Sequence, residues 1–88
     1  MTKKKIKKAA ALSYDHANDH APKVIAKGCG KIADKIVALA NAYEIPLVAD
    51  PNLVQMLEAL DVDTEIPAEL YKAVAEVLVF IYRLNEQK

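Results

Sequence analysis

Residues 22–43, PKVIAKGCGKIADKIVALANAY, contain the change of period that decides the fold. Up to Lys27 the stretch is short and carries two adjacent β-branched residues, Val24 and Ile25, before it stops at Gly28, which predicts a short strand. Beyond Gly28-Cys29-Gly30, the residues Ile32, Ile36, Leu39, Ala40 and Tyr43 recur at spacings of three and four, with Lys31, Asp34, Lys35 and Asn41 on the other side. That spacing predicts an amphipathic helix of about four turns whose apolar stripe faces the core. Ile45-Pro46-Leu47-Val48-Ala49 follows as a brief apolar run closed by Asp50-Pro51, the pattern of a buried strand. Strand, helix and strand over Val24–Ala49 then predict a parallel pair with a right-handed crossover.

Outward from this unit the pattern continues. Upstream, Lys8 to Tyr14 is an alanine-rich run whose shortness leaves strand and helix both open. Asp15 to Ala21 is crowded with Asp, His and Asn and reads as a loop. Downstream, Asp50 is placed to cap a helix that has Pro51 at its first position and buries Leu53, Met56, Leu57 and Leu60. Asp61 to Ile66 is an acidic connector. Pro67 then opens the longest helix, reaching about Leu84, with a stripe of Leu70, Val74, Val77, Leu78, Ile81 and Tyr82 that Val79 and Phe80 extend around the helix. The predicted class is α/β: a small mixed sheet of about three short strands in the order β-β-α-β-α-α, packed with three helices. Residues 1–7 form a basic leader too charged to pack, and 8–88 a single domain.

The chain has 88 residues, of which 53% are hydrophobic and 27% charged, with only two glycines and four prolines. This composition excludes a disordered tail, a collagen-like chain and a low-complexity linker. A single cysteine, Cys29, excludes an internal disulfide and points to a reducing compartment. No apolar stretch approaches the roughly 20 residues of a membrane span, and Ala9–Leu12 is too short for a signal-peptide core. A net charge of zero conceals a division: residues 1–35 carry +6 and residues 36–88 carry −6. Such asymmetry marks the basic end as an interaction surface without naming its partner.

Few residues carry chemistry. Asp15-His16 and Asp19-His20 pair imidazoles with carboxylates, a possible ligand set on a helix, yet they fall in a loop with no fixed geometry. Cys29 stands at a helix start, which favours a thiolate, but no base accompanies it, and a small residue in a tight turn is the plainer reading. Gly28-x-Gly30 lacks the third glycine of a dinucleotide loop. Ser13 is the only serine, and no nucleophile–base–acid order emerges. Lys3, Lys4, Lys5, Lys7 and Lys8 could hold an anionic partner through counterion release, but no aromatic interleaves them and no reading helix follows, so specific nucleic-acid recognition is not expected. The sequence predicts no cofactor and no metal.

The segments Ala9–Asp15, Ala21-Pro22-Lys23-Val24-Ile25-Ala26-Lys27-Gly28, Ile45-Pro46-Leu47-Val48 and Ile66-Pro67-Ala68-Glu69-Leu70-Tyr71-Lys72-Ala73-Val74-Ala75-Glu76-Val77-Leu78 resemble the cytoplasmic domain of the FlhB family (FlhB, EscU, SpaS). That family contains the substrate-specificity switch of flagellar and virulence type III secretion. The resemblance runs from about Ala9 to Leu84 with almost no gaps, and it implies a non-enzymatic component of the export apparatus, cytoplasmic and without membrane insertion. It also implies partners: the amino-terminal part of FlhB, the export gate, and export substrates or their chaperones. Family members cleave themselves at an Asn-Pro-Thr-His turn. The four matching positions here are Lys4, Lys5, Ile6 and Lys7, which lack the attacking asparagine amide, so the resemblance is to the carboxy-terminal cleavage fragment. The upstream half of the family domain supplies one more strand, and its absence would leave an open edge beside the first strand here. An apolar patch that binds early export substrates maps onto Ala21, Pro22, Ala75 and Leu78, although Ala75 and Leu78 are also ordinary core positions of a periodic helix. The alternative function is an independent cytosolic adaptor that binds acidic ligands or nucleic acid through its lysine-rich leader.

Overall fold

A computed structural model describes residues 7–86. Two strands, β1 (Lys8–Ser13) and β2 (Lys23–Cys29), pair antiparallel across the loop that joins them. The register runs from Lys8 opposite Cys29 to Ser13 opposite Lys23, and an irregularity between Ala11 and Leu12 leaves Ile25 unmatched. This bulge sets Leu12 opposite Val24 and sharpens the local twist. Side chains alternate across the strands. Ala10, Leu12 and Val24 therefore face the main core, while Ala9, Ala11 and Gly28 turn to the opposite side.

Helix α1 (Lys31–Ala42) lies on that second side and touches both strands. Gly30, at φ 59, is its N-cap, a left-handed turn that only glycine adopts without strain. A side chain at Gly28 would overlap Cβ and Cγ2 of Ile32, so Gly28-x-Gly30 is a strand-to-helix corner. The expected burial of α1 is corrected here. Ala33 and Ala40 are its buried residues, whereas Leu39 is 58% and Tyr43 74% exposed. Alanines on the helix let it approach an alanine- and glycine-lined sheet face closely, which rotates the larger stripe outward. The helix ends in a Schellman turn: Ile45 N–H donates to Ala40 O at 2.8 Å and Glu44 N–H to Asn41 O at 3.2 Å, with Glu44 left-handed at φ 57.

The expected third strand does not form. Residues 45–49 run from α1 to the next helix without pairing, and Ile45, Leu47 and Val48 are exposed, so there is neither a parallel pair nor a crossover. Pro46 has no N–H to offer a ladder, and among the described residues no strand lies beside this run. The chain instead places the acidic connector along the free edge of β2. Val24 N–H donates to Thr64 O at 3.1 Å, Asp63 N–H donates to Val24 O, and Ile66 N–H donates to Pro22 O at 2.9 Å. Lys23 and Glu65 form the matching antiparallel bridge.

Helix α2 (Pro51–Glu58) starts as the sequence predicts, with Asp50 Oδ1 accepting from Leu53 N–H at 3.0 Å and Pro51 in the first turn. Leu53 and Leu57 are buried, but Met56 is exposed. A short 3₁₀ turn (Ala68–Leu70) leads into α3 (Tyr71–Glu86). Leu70 and Val74 enter the core with Ala21, Val24, Leu53, Leu57 and Ile66, and Val77 and Leu78 pack at its margin. Val79, Phe80 and Tyr82 point to solvent, so α3 is covered on one side rather than all round.

The expected leader of residues 1–7 falls outside the described residues except for Lys7. Lys7 is held: its carbonyl accepts from Gly30 N–H at 2.8 Å and its Nζ lies 3.2 Å from Asp34 Oδ1. We predict that Gly28→Ala lowers stability by about 1–3 kcal/mol, because Ile32 and the start of α1 must shift to admit the methyl group. Chemical denaturation of the two proteins measures this.

Candidate functional site

The end of β1, the entry to β2 and the first half of α3 meet around an apolar cleft of about 190 Å³. Ala21, Ile66 and Val74 make its floor, each almost wholly buried, and Pro22 beside them is buried as well. Tyr14, His20, Tyr71 and Ala75 stand at its exposed rim, and Leu78 closes one end half-buried. Pro22 is fixed by the hydrogen bond its carbonyl accepts from Ile66, and its missing N–H costs nothing at the first position before a strand. On α3, positions 71, 74, 75 and 78 share one flank through their spacings of three and four, which aligns Tyr71, Val74, Ala75 and Leu78 along the cleft.

The loop between the strands holds Tyr14 and His20 in place. Asp15 organises it: Oδ1 accepts from Ala17 N–H at 3.0 Å, Oδ2 accepts from Asn18 Nδ2 at 2.7 Å, and its carbonyl accepts from the N–H groups of Asn18 and Asp19. Asp19 answers by accepting from Asp15 N–H at 2.9 Å. These bonds favour the ionised carboxylate, the Asn18 side chain most and the Ala17 amide next, so the Asp15 carboxyl sits below its ordinary value.

The four positions singled out by sequence, Ala21, Pro22, Ala75 and Leu78, come together here from segments more than 50 residues apart. The sequence reading missed Tyr14, His20, Ile66, Tyr71 and Val74. Tyr71 and Val74 carried a signal, since they share a helix flank with Ala75 and Leu78. Tyr14 and His20 carried none, because only the antiparallel return brings both ends of the loop to one place. Lys7 and Lys8 are not part of the cleft. Lys3, Lys4 and Lys5 lie outside the described residues, Lys7 pairs with Asp34, and Lys8 stands opposite Cys29 at the other end of the strands. The Lys7–Asp34 pair is largely solvated and contributes little. Among the described residues, no three His, Cys, Asp or Glu side chains converge as metal ligands, and Cys29 is exposed and unpaired with another thiol.

Chemically, the cleft offers apolar surface with two phenols and one imidazole at the rim, and neither a carboxylate nor a thiol. Its volume is below the roughly 300–1,000 Å³ of small-molecule pockets. It suits one or two side chains of a docked segment.

Comparison with known proteins gives a consistent picture. Residues 6–81 match the FlhB HrpN YscU SpaS family. The chain is 47% identical over 81 residues to YlqH of Bacillus subtilis (strain 168), covering 92% of this chain and 87% of that protein. It is 47% identical over 74 residues to the flagellar biosynthetic protein FlhB of Aquifex aeolicus (strain VF5), covering 83% of this chain but only 21% of that protein. The crystal structure of the cytoplasmic domain of FlhB from Shewanella putrefaciens superposes with a TM-score of 0.85 at 37% identity, covering 91% of this chain and 63% of that one. The chain belongs to the FlhB HrpN YscU SpaS family.

The loop geometry predicts a pH response. A carboxyl lowered in the folded state contributes order that is present above its unfolded value and lost as pH falls through the folded one. Amide exchange at Ala17 and Asp19, followed by NMR, should accelerate as pH drops below the ordinary aspartate range, after correction for intrinsic exchange. Asp15→Ala should show the accelerated exchange already at neutral pH.

Proposed function

We propose that this member of the FlhB family serves a flagellar or type III protein export apparatus as a non-enzymatic docking domain, cytoplasmic and associated with the membrane-embedded apparatus. One observation carries the reading: Ala21, Pro22, Ala75 and Leu78 converge on a side-chain-sized apolar cleft. Export substrates, or the chaperones that deliver them, seat an apolar side chain there, and the exposed tyrosines and His20 at the rim orient the segment. The sequence division into leader and single domain belongs to this reading, with the domain as the functional unit.

A second surface engages the apparatus itself. Strand β1 pairs only with β2, so among the described residues its other edge is unpaired. The Lys7 carbonyl faces the β2 side, where it accepts from Gly30. By alternation Ala9 and Ala11 direct their backbone groups to β2, and Lys8, Ala10 and Leu12 direct theirs outward. The extended stretch 45–49 joins two helices that both touch β1. A strand from the amino-terminal part of FlhB, added to this edge, gives the unpaired backbone a partner and covers exposed Ile45 and Leu47.

Two measurements test the proposal. Leu78→Asp should weaken binding of a purified export substrate by roughly ten- to a hundredfold in titration calorimetry, the loss of one buried apolar side chain, with the fold intact by circular dichroism. Unchanged affinity, or affinity that collapses with added salt, would replace cleft docking with charge-driven binding by the lysines. Ala10→Pro, which removes an outward N–H and no bond to β2, should abolish co-purification with the amino-terminal part of FlhB while leaving substrate affinity unchanged. Co-purification that survives the proline rejects the edge as the docking site.

A further inference from the structure

A second apolar groove, about 280 Å³ in volume, runs along the other flank of α3, between Val48 and Asp50 on one wall and Ala73, Glu76, Val77 and Phe80 on the other. At 3.6 residues per turn, positions 73, 77, 80 and 84 fall on the side of the helix away from Tyr71, Ala75 and Leu78. Their spacing of four, three and four is the seam along which two helices pack. The outer part of the seam is open, with Phe80 54% exposed and Leu84 and Val48 exposed beside it, while Ala73 and Val77 are half-buried and also touch the core margin.

We propose that this groove is the contact surface between two copies of this chain, α3 against α3, antiparallel about a two-fold axis. Two features of the seam select a second copy as the occupant. The first is charge. Both ionisable groups in the groove wall are carboxylates, Asp50 and Glu76, and Arg83, the chain's only arginine, follows Glu76 by seven residues, nearly two full turns, on the same flank. Among the described residues neither Glu76 nor Arg83 is ion-paired. Antiparallel packing brings Arg83 of each copy beside Glu76 of the other, whereas parallel packing would set that flank against the partner's opposite flank, at Val74 and Ile81, and pair neither charge. The second feature is volume. The same antiparallel register opposes Ala73 to Leu84 and Val77 to Phe80, small against large along the seam, as close packing requires. Such an isologous contact closes on itself. It leaves the cleft at Ala21 and Leu78 free, since that cleft lies on the opposite flank.

Sedimentation equilibrium of the full chain, over a concentration series, tests this. The expected result is a monomer–dimer equilibrium that weakens by roughly tenfold or more in Phe80→Glu and in Arg83→Glu, and recovers in the combined Glu76→Arg and Arg83→Glu protein. The charge variants keep the test independent of folding, because both side chains are exposed. A chain that stays monomeric into the millimolar range overturns the proposal. So does a dimer indifferent to Phe80→Glu, or one that Ala10→Pro abolishes while the exchanged charges leave it unchanged. Export-substrate affinity at the Ala21–Leu78 cleft should not move in Phe80→Glu.

Discussion

The two-way backbone pairing at Val24 is the constraint on which the rest of the molecule depends. Its N–H and carbonyl both engage the connector, through Thr64 and Asp63, while its side chain is wholly buried between the sheet and the helices. One residue therefore fixes where 63–66 lies and how deep it sits. Asp63 accepts a left-handed conformation, φ 69, to make the bond, a strain aspartate tolerates better than most residues. Ile66 is then held against Pro22, Leu70 and Val74 follow it into the core, and the direction of α3 is set. The cleft is a consequence: its floor consists of the residues that this pairing pulls together.

Size determines what remains uncovered. A chain of 88 residues has little interior, and here the buried set amounts to a few aliphatic side chains plus alanines. One layer of helices covers each face of a two-stranded sheet, but α3 touches the core along a single line, with a groove on either flank. The alanines on the second sheet face draw α1 close at the cost of exposing Ile32, Leu39 and Tyr43. Each exposed apolar surface follows from a shortage of material to cover it, and contiguous surfaces of this kind are candidate contact sites.

The local signals in the sequence were sound, and the tertiary ones were less so. Asp50-Pro51 and the switch of period after Gly30 identified two helix starts because caps and glycine corners act within a few residues. Ile45–Ala49 has strand composition, but a strand needs a neighbour, and composition does not reveal whether one is present. The connector 61–66 carries no strand signal, yet it pairs with β2, because edge pairing uses backbone groups that every residue possesses. The α1 stripe misled for a related reason: periodicity locates an apolar face without stating which face is thin enough to approach an alanine sheet. The cleft was half legible. Ala21, Pro22, Ala75 and Leu78 came from family resemblance, whereas Tyr14 and His20 follow only from the antiparallel return of the strands.

The charge division acquires a different meaning in three dimensions. On the sequence, nine lysines in the first 35 residues suggested a basic surface opposed to an acidic half. In the fold the two halves interleave. Lys23 bridges Glu65 through the backbone and Lys27 Nζ donates to the carbonyl of Glu58 at 2.9 Å where α2 ends, whereas the Lys7–Asp34 pair lies within the basic half. Lysines on β2 thus lie beside the acidic connector that runs along its edge, which reduces the repulsion among Asp61, Asp63 and Glu65 as they are brought alongside the sheet. The asymmetry therefore bears on assembly of the domain, where a basic strand meets an acidic connector. Among the described residues only Lys7 and Asp34 are ion-paired, so most charges stay solvated, and on the function proposed above specificity for partners rests on the apolar surfaces: the cleft and the outer flank of α3.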